Sequence, residues 1–179
     1  MTTSKESAQF GDRFGQVASR FCSVVESAQH LDRNEFVSQV YRILPKLIDE
    51  AISLPDVELS DDPKSKRKSV RQKIEEWNQL YNSLKGKLGE WDLYRQVFDP
   101  TRDTELICGS LADDIADIYR DLKEGLVLKE ADQIRPEDLI WEWRVRFYSH
   151  WGKHAIDALL RCTSNYRTVA SKDYSDKCC

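Results

Sequence analysis

The chain has 179 residues, 40% of them hydrophobic and 32% charged, with a formal net charge of -4. That length allows one domain with a real core and excludes a large multidomain enzyme, while the mild acidity argues against a dedicated nucleic-acid binder. Glycine (7) and proline (5) are scarce, which leans the fold toward helices, because sheets use both residues in their turns.

Phe10, Phe14, Val17, Phe21, Val24 and Ala28 recur at steps of three and four and predict a helix near residues 8–29. Asp32 with Glu35 three residues later reads as a capping box. It opens a second helix near 33–53, striped by Val37, Val40, Leu44, Leu47 and Ala51. Pro45 inside that stripe is expected to kink or interrupt it. Residues 54–65, with two prolines and an acidic run, read as a linker. A third helix near 66–88 carries Val70, Ile74, Trp77, Tyr81, Leu84 and Leu88, with Gly86 and Gly89 marking its end. WDLYRQVF, residues 91–98, reads as a short extra helix stopped by Asp99-Pro100.

A fourth helix near 104–127, capped by Asp103 or Thr104, takes Ile107, Leu111, Ile115, Ile118, Leu122 and Leu126 as its stripe. Pro136 followed by Glu137 and Asp138 is a strong start for a fifth near 136–165. Its stripe is Ile140, Trp143, Phe147, Trp151, Ala158 and Leu159. Residues 168–179 are expected to form a polar flexible tail. No alternating strand pattern is bounded by turn residues. The expectation is therefore all-α: a single up-and-down bundle of about five amphipathic helices over residues 1–167. No apolar run reaches the roughly 18 residues of a membrane span, and the N-terminal stretch lacks a signal core. A cytoplasmic protein without membrane attachment is expected.

Three features invite chemistry. His150 and His154 are four residues apart and share a helix face, within roughly 60° of Phe147. They are expected to point inward or at the core edge, where each ring nitrogen needs a partner. Two such histidines can chelate a divalent metal if another helix supplies a further ligand. A structural histidine–carboxylate pair and a non-metal acid–base site remain open beside that reading.

Asp113, Asp114, Asp117 and Asp121 form an acidic run on the fourth helix. It could hold Mg²⁺ for phosphate chemistry, or be a solvated face mixed with Arg120 and Lys123. With Ile115 as the apolar centre, Asp113 and Asp117 lie roughly 160° away, on the expected solvent side. Asp114 and Asp121, at roughly 100–120°, are better placed to reach a cleft.

The run from Lys64 to Lys73 is strongly basic but lacks interleaved aromatics. It is expected to be a helix entry balanced by Asp56, Glu58, Asp61 and Asp62, not a nucleic-acid site. Among the aromatic residues Trp77, Tyr81, Trp91, Tyr94, Trp141, Trp143 and Trp151, Trp141 falls off the stripe, and its exposure would mark a partner surface. Cys22, Cys108 and Cys162 fall in helical patterns and read as packing residues with free thiols. Cys178-Cys179 resembles a double-prenylation terminus, although no GTPase motif accompanies it. No phosphate-binding glycine loop, nucleophile elbow or H-E-x-x-H is present.

The stretches SLADDIADIYRDLKEGL and WEWRVRFYSHWGKHAIDALL together resemble an uncharacterised bacterial family of all-helical proteins, domain of unknown function 5063. The resemblance covers the C-terminal third to half of the chain. It implies a helical fold with Asp113, Asp114, Asp117, Tyr119 and Asp121 on one helix and Trp143, His150, Trp151 and His154 on the next. A polar motif shared by two neighbouring helices suggests a common cleft, but the resemblance implies no reaction.

The functional expectation is a protein-interaction or accessory module, acting on an unknown protein partner or by self-association. The alternative is a metal- or small-ligand-binding bundle, extending to a hydrolase of a phosphorylated small molecule. It would use His150 and His154 with Asp114 or Asp121. The candidate set is His150, His154, Asp114, Asp121, Asp117, Asp113, Trp151 and Tyr119, with the two histidines as metal ligands.

Overall fold

In the computed structural model the described residues are 4–59, 74–97, 99 and 101–175. Helix α1 spans Ser4–Glu26, and a short 3-10 turn, Ala28–His30, leads to α2, Arg33–Ile52. Asp32 caps α2 as expected, its side chain accepting the Glu35 N–H at 2.9 Å. Val37, Val40, Leu44, Leu47 and Ala51 are all buried. The helix continues past Pro45 as one element, so proline does not interrupt it. Packing of that apolar face on the neighbouring α1 and on the last helix outweighs the local cost of proline, about 3 kcal/mol.

α3 is Ile74–Leu88. The expected start of this helix near 66, and the basic run Lys64–Lys73, lie outside the described residues. The next segment departs from expectation. Residues 91–98 do not form an extra helix: Leu93–Val97 is strand β1, paired antiparallel with β2, Leu106–Ser110. The register sets Tyr94 against Gly109 and Gln96 against Ile107. The apolar spacing that joined Ile107 to Leu111 across a supposed helix crosses the boundary between β2 and α4.

α4 consequently begins at Leu111, not near 104, and ends at Glu130. Its cap is Ser110, whose hydroxyl accepts the Asp113 N–H at 3.2 Å. Buried Asp92 reinforces this start by accepting from Ser110 Oγ and the Ala112 N–H, both at 2.8 Å. One carboxylate thus ties the ribbon to the first turn of α4.

α5 starts at Pro136, with Glu137 and Asp138 in its first turn, and runs to Arg146. Residues Phe147–Trp151 then form a π-helical turn, and α6 continues from Gly152 to Ser175, into the region expected to be a tail. The π turn closes with the Gly152 N–H on the Phe147 carbonyl. A Cβ at residue 152 would lie 2.4 Å from that same carbonyl oxygen, so the turn demands glycine.

The elements form a helical bundle with α4 at its centre, packed against α1, α3, α5 and α6. Thirteen of its 20 residues are buried, more than a single apolar stripe would cover. Phe14, Phe21, Leu44, Ile115, Ile118, Trp143 and Trp151 are among the largest fully buried side chains. No helix among the described residues is long and apolar enough to cross a membrane. Cys22 and Cys162 are buried, and burial pushes both thiols up to about 12. Cys108, expected inside a helix, is exposed on β2.

Candidate functional site

The enclosure of α4 changes the meaning of its acidic run. Asp114 and Asp121 are each 3% exposed and Asp117 is 9% exposed. The expected solvated face therefore does not exist: Asp117 is buried, and Asp113 is half-buried. Helical-wheel reasoning assumed one neighbour, whereas α4 is surrounded. Buried carboxylates require partners, and two of these partners are the histidines.

His150, on the π turn, places Nδ1 2.7 Å from Asp121 Oδ2. His154, on α6, places Nδ1 2.8 Å from Asp114 Oδ1. Both Nε2 atoms then turn toward one carboxylate oxygen, Asp117 Oδ2, at 3.8 Å from His150 and 3.6 Å from His154. The two rings meet edge to face with centroids 5.2 Å apart. One ligating atom from each of Asp117, His150 and His154 lies within 4.8 Å of the others.

Each carboxylate is itself held. Asp117 Oδ1 accepts from Trp77 Nε1 at 3.0 Å and pairs with the Arg120 guanidinium at 2.7 Å, which leaves Oδ2 for the histidines. Asp121 Oδ1 accepts from Arg146 at 3.0 Å, and the same guanidinium lies 2.9 Å from Glu124 and 3.0 Å from Glu142. Asp114 Oδ2 accepts from the Tyr94 hydroxyl at 2.5 Å. Tyr94 reaches it by lying across Gly109, where a Cβ would sit 2.5 Å from the phenol ring.

Burial works against the imidazolium of His154, but the bond to Asp114 and the nearby charges of Asp114, Asp117 and Asp113 outweigh it, so its pKa is raised. Burial also raises the Asp114 pKa, against the pull of its bonds from His154 and Tyr94. The couple therefore keeps its proton to higher pH than separated groups would. Burial and repulsion from Asp117 push Asp113 upward as well.

The histidines open on a cleft of about 710 Å³, lined by Asp113, Asp114, Gln96, Cys108, Tyr148, Lys153 and Asp157 among others. The lining contains one lysine and no arginine among the described residues, and Lys153 pairs with Asp157 at 2.6 Å.

Two sequence candidates lie elsewhere. Tyr119 donates to Glu26 at 2.9 Å, on the side that faces α1. Trp151 is fully buried against Phe147 and Phe14. Trp141 is half-buried, not exposed. Sequence reasoning missed Tyr94, Arg146, Arg120 and the polar role of Trp77. Two local signals were available, the i−4 spacing of Arg146 to His150 and the i+3 spacing of Arg120 to Asp117; Tyr94 and Trp77 act across long separations. Cys178 and Cys179 lie outside the described residues.

The family described as Domain of unknown function (DUF5063) matches residues 5–162. Among solved structures, the chain is similar to the crystal structure of protein BF1032 from Bacteroides fragilis. The two share 26% sequence identity and a TM-score of 0.70, over 84% of this chain and 88% of that one. No curated protein matches the sequence.

Proposed function

The chain belongs to that family of unknown function, and for this member we propose a mononuclear metal centre that binds and activates water. The ligands are His150 Nε2, His154 Nε2 and Asp117 Oδ2. The observation that carries the reading is the convergence of both Nε2 atoms on Asp117 while both Nδ1 atoms are tied to buried carboxylates. Histidine ligands commonly donate their second ring nitrogen to a carboxylate in this way, which fixes the tautomer and the ring orientation.

The spacing supports the same reading. Metal bonds of about 2.0–2.1 Å place ligand atoms roughly 3.0–3.4 Å apart. The present 3.6 and 3.8 Å lie a few tenths of an ångström outside that range, and the three ligand atoms fall within 4.8 Å of one another. A two-histidine, one-carboxylate set suits Zn²⁺ or Fe²⁺ better than Mg²⁺ or Ca²⁺, which prefer oxygen. Three protein ligands leave open positions for water on the cleft side.

The test is titration of chelator-stripped protein with Zn²⁺ and Fe²⁺, followed by competition with a chromophoric chelator and by native mass spectrometry. One equivalent should bind, and Asp117→Asn and the His150→Ala/His154→Ala double variant should lose it while retaining helix content. Absence of binding by the wild-type chain would reject the centre.

A second reading, a protein-interaction surface, is favoured by Ile156 and Leu160. These lie one turn apart on α6 and are 57% and 67% exposed. Sedimentation over a range of concentrations tests it: self-association that Leu160→Asp abolishes would support this face, and a monomer throughout would argue against self-association.

A further inference from the structure

Each buried carboxylate around the histidines has its oxygens engaged. Asp114 holds His154 and Tyr94, Asp121 holds His150 and Arg146, and Asp117 holds Trp77 and Arg120. Asp157, at the mouth of the cleft, is bound by Lys153. The Gln96 amide, oriented with its nitrogen toward Asp157, donates to the same carboxylate at 3.0 and 3.2 Å. Asp113 differs. It lines the cleft and is half-buried, yet among the described residues no side-chain hydrogen bond reaches its carboxylate.

Its position is nonetheless well determined. Asp113 lies in the first turn of α4, its N–H bound by the Ser110 cap that Asp92 supports from below. One of its oxygens comes within 4.8 Å of ligating atoms on Asp114 and His154, but Asp113 is not part of the set formed by Asp117, His150 and His154. It stands one helical turn before Asp117 on the same helix, beside the histidine that faces the cleft.

A cleft-lining carboxylate beside a ligand but outside the ligand set suits a particular role. A water on a first-row ion sits about 2.1 Å from the metal, and an acceptor of its hydrogen bond sits a further 2.7 Å or so away. Such an acceptor stands roughly 4–5 Å from the ion, beyond the ligands but within reach of the water. Resting on the metal centre proposed above, we infer that Asp113 is the general base of the site: its carboxylate accepts the hydrogen bond and then the proton of the metal-bound water.

The lining also indicates the substrate class. Three carboxylates, Asp113, Asp114 and Asp157, line the cleft, and its one lysine is paired with Asp157. An uncharged carboxylic ester or amide fits that wall better than a phosphorylated compound. In the reaction, the metal-bound oxygen forms a bond to the acyl carbon while its proton passes to Asp113. The acyl bond to the leaving oxygen or nitrogen then breaks, and that atom takes the electron pair and is protonated from Asp113 or solvent. The products are a carboxylic acid and an alcohol or amine, with one water consumed.

The probe is p-nitrophenyl acetate, hydrolysed by the full chain stripped of metal and reloaded with one equivalent of Zn²⁺. Zn²⁺ affinity is measured in parallel by chelator competition. Asp113→Asn and Asp113→Ser should keep the affinity within about threefold of wild type and lose about 100-fold or more of the Zn²⁺-dependent rate, the usual range for a general base. Asp113→Glu should recover part of that loss.

Three results would overturn the inference while leaving the metal centre standing. The asparagine variant could match the wild-type rate. It could lose Zn²⁺ as severely as His154→Ala, which would make Asp113 a ligand. Or the Zn²⁺-loaded wild type could be no faster than the stripped chain. Failure of the wild type to bind Zn²⁺ at all would instead reject the centre and the base together.

Discussion

The two histidine arms use the same couple, an imidazole Nδ1 on a buried aspartate, but anchor it differently. Asp121 in the His150 arm is held by a cation, Arg146, supplied by the same helical segment one turn earlier. Asp114 in the His154 arm is held by a neutral phenol, Tyr94, supplied by the β-ribbon. Arg146 sets a positive charge, shared with Glu124 and Glu142, against its aspartate; Tyr94 orients its aspartate without adding one. The balance falls on His154, whose pKa is raised. One arm is an ionic lock among helices, and the other is a hydrogen-bonded relay that depends on the ribbon staying docked.

This contrast can be broken most forcefully at Arg146. Arg146→Ala leaves Asp121 and Glu124, both nearly fully buried, without their cation. Loss of about 3 kcal/mol of stability is expected, read from urea unfolding of the metal-free chain. Gly152→Ala tests the same arm through the backbone. Its Cβ would collide with the Phe147 carbonyl and force the π turn open, costing about 1–3 kcal/mol and displacing His150. If Gly152→Ala leaves both stability and Zn²⁺ affinity unchanged, the π turn does not position His150.

The ribbon arm should respond more gently. Tyr94→Phe removes one hydrogen bond, for about 1 kcal/mol of stability, but should weaken Zn²⁺ binding by about tenfold because Asp114 loses its orientation. A variant that loses stability without losing affinity would reduce the relay to packing.

The pH dependence sharpens the comparison further. A histidine whose folded pKa is raised stabilises the protein fully below its unfolded value, near 6.5, and loses that contribution as pH rises through the folded value. Asp114, also raised, acts in the same direction. The penalty of His154→Ala in the metal-free chain should therefore shrink from about pH 5 to pH 9 in urea-midpoint measurements. Because Zn²⁺ displaces the proton, affinity should rise across the same window. The smallest effect is expected at exposed Leu160, where substitution by Asp should change monomer stability by no more than about 0.5 kcal/mol.

Legibility followed the range of the interactions. Stripes such as Val37–Val40–Leu44–Leu47–Ala51, the Asp32 cap and the Pro136 start all act within one or two helical turns, and all read correctly. The ribbon did not. Leu93–Val97 is only five residues long, and its partner Leu106–Ser110 was hidden inside the helical spacing of Ile107, Leu111 and Ile115. A two-stranded ribbon exists only through pairing and docking, which local periodicity does not encode.

The same division runs through the site. Sequence spacing alone determined that His150 and His154 share a helix and that four aspartates share another, because 3.6-residue periodicity is a local property. Whether those helices face each other was decided by tertiary packing. So was the burial of Asp117, which the wheel assigned to solvent, because a helix packed against four others buries more than one face. Tyr94 meets Asp114 across 20 residues, and Trp77 meets Asp117 across 40. Contacts of that separation arise only when the chain closes on itself, where the hydrogen bond offsets the cost of burying both partners.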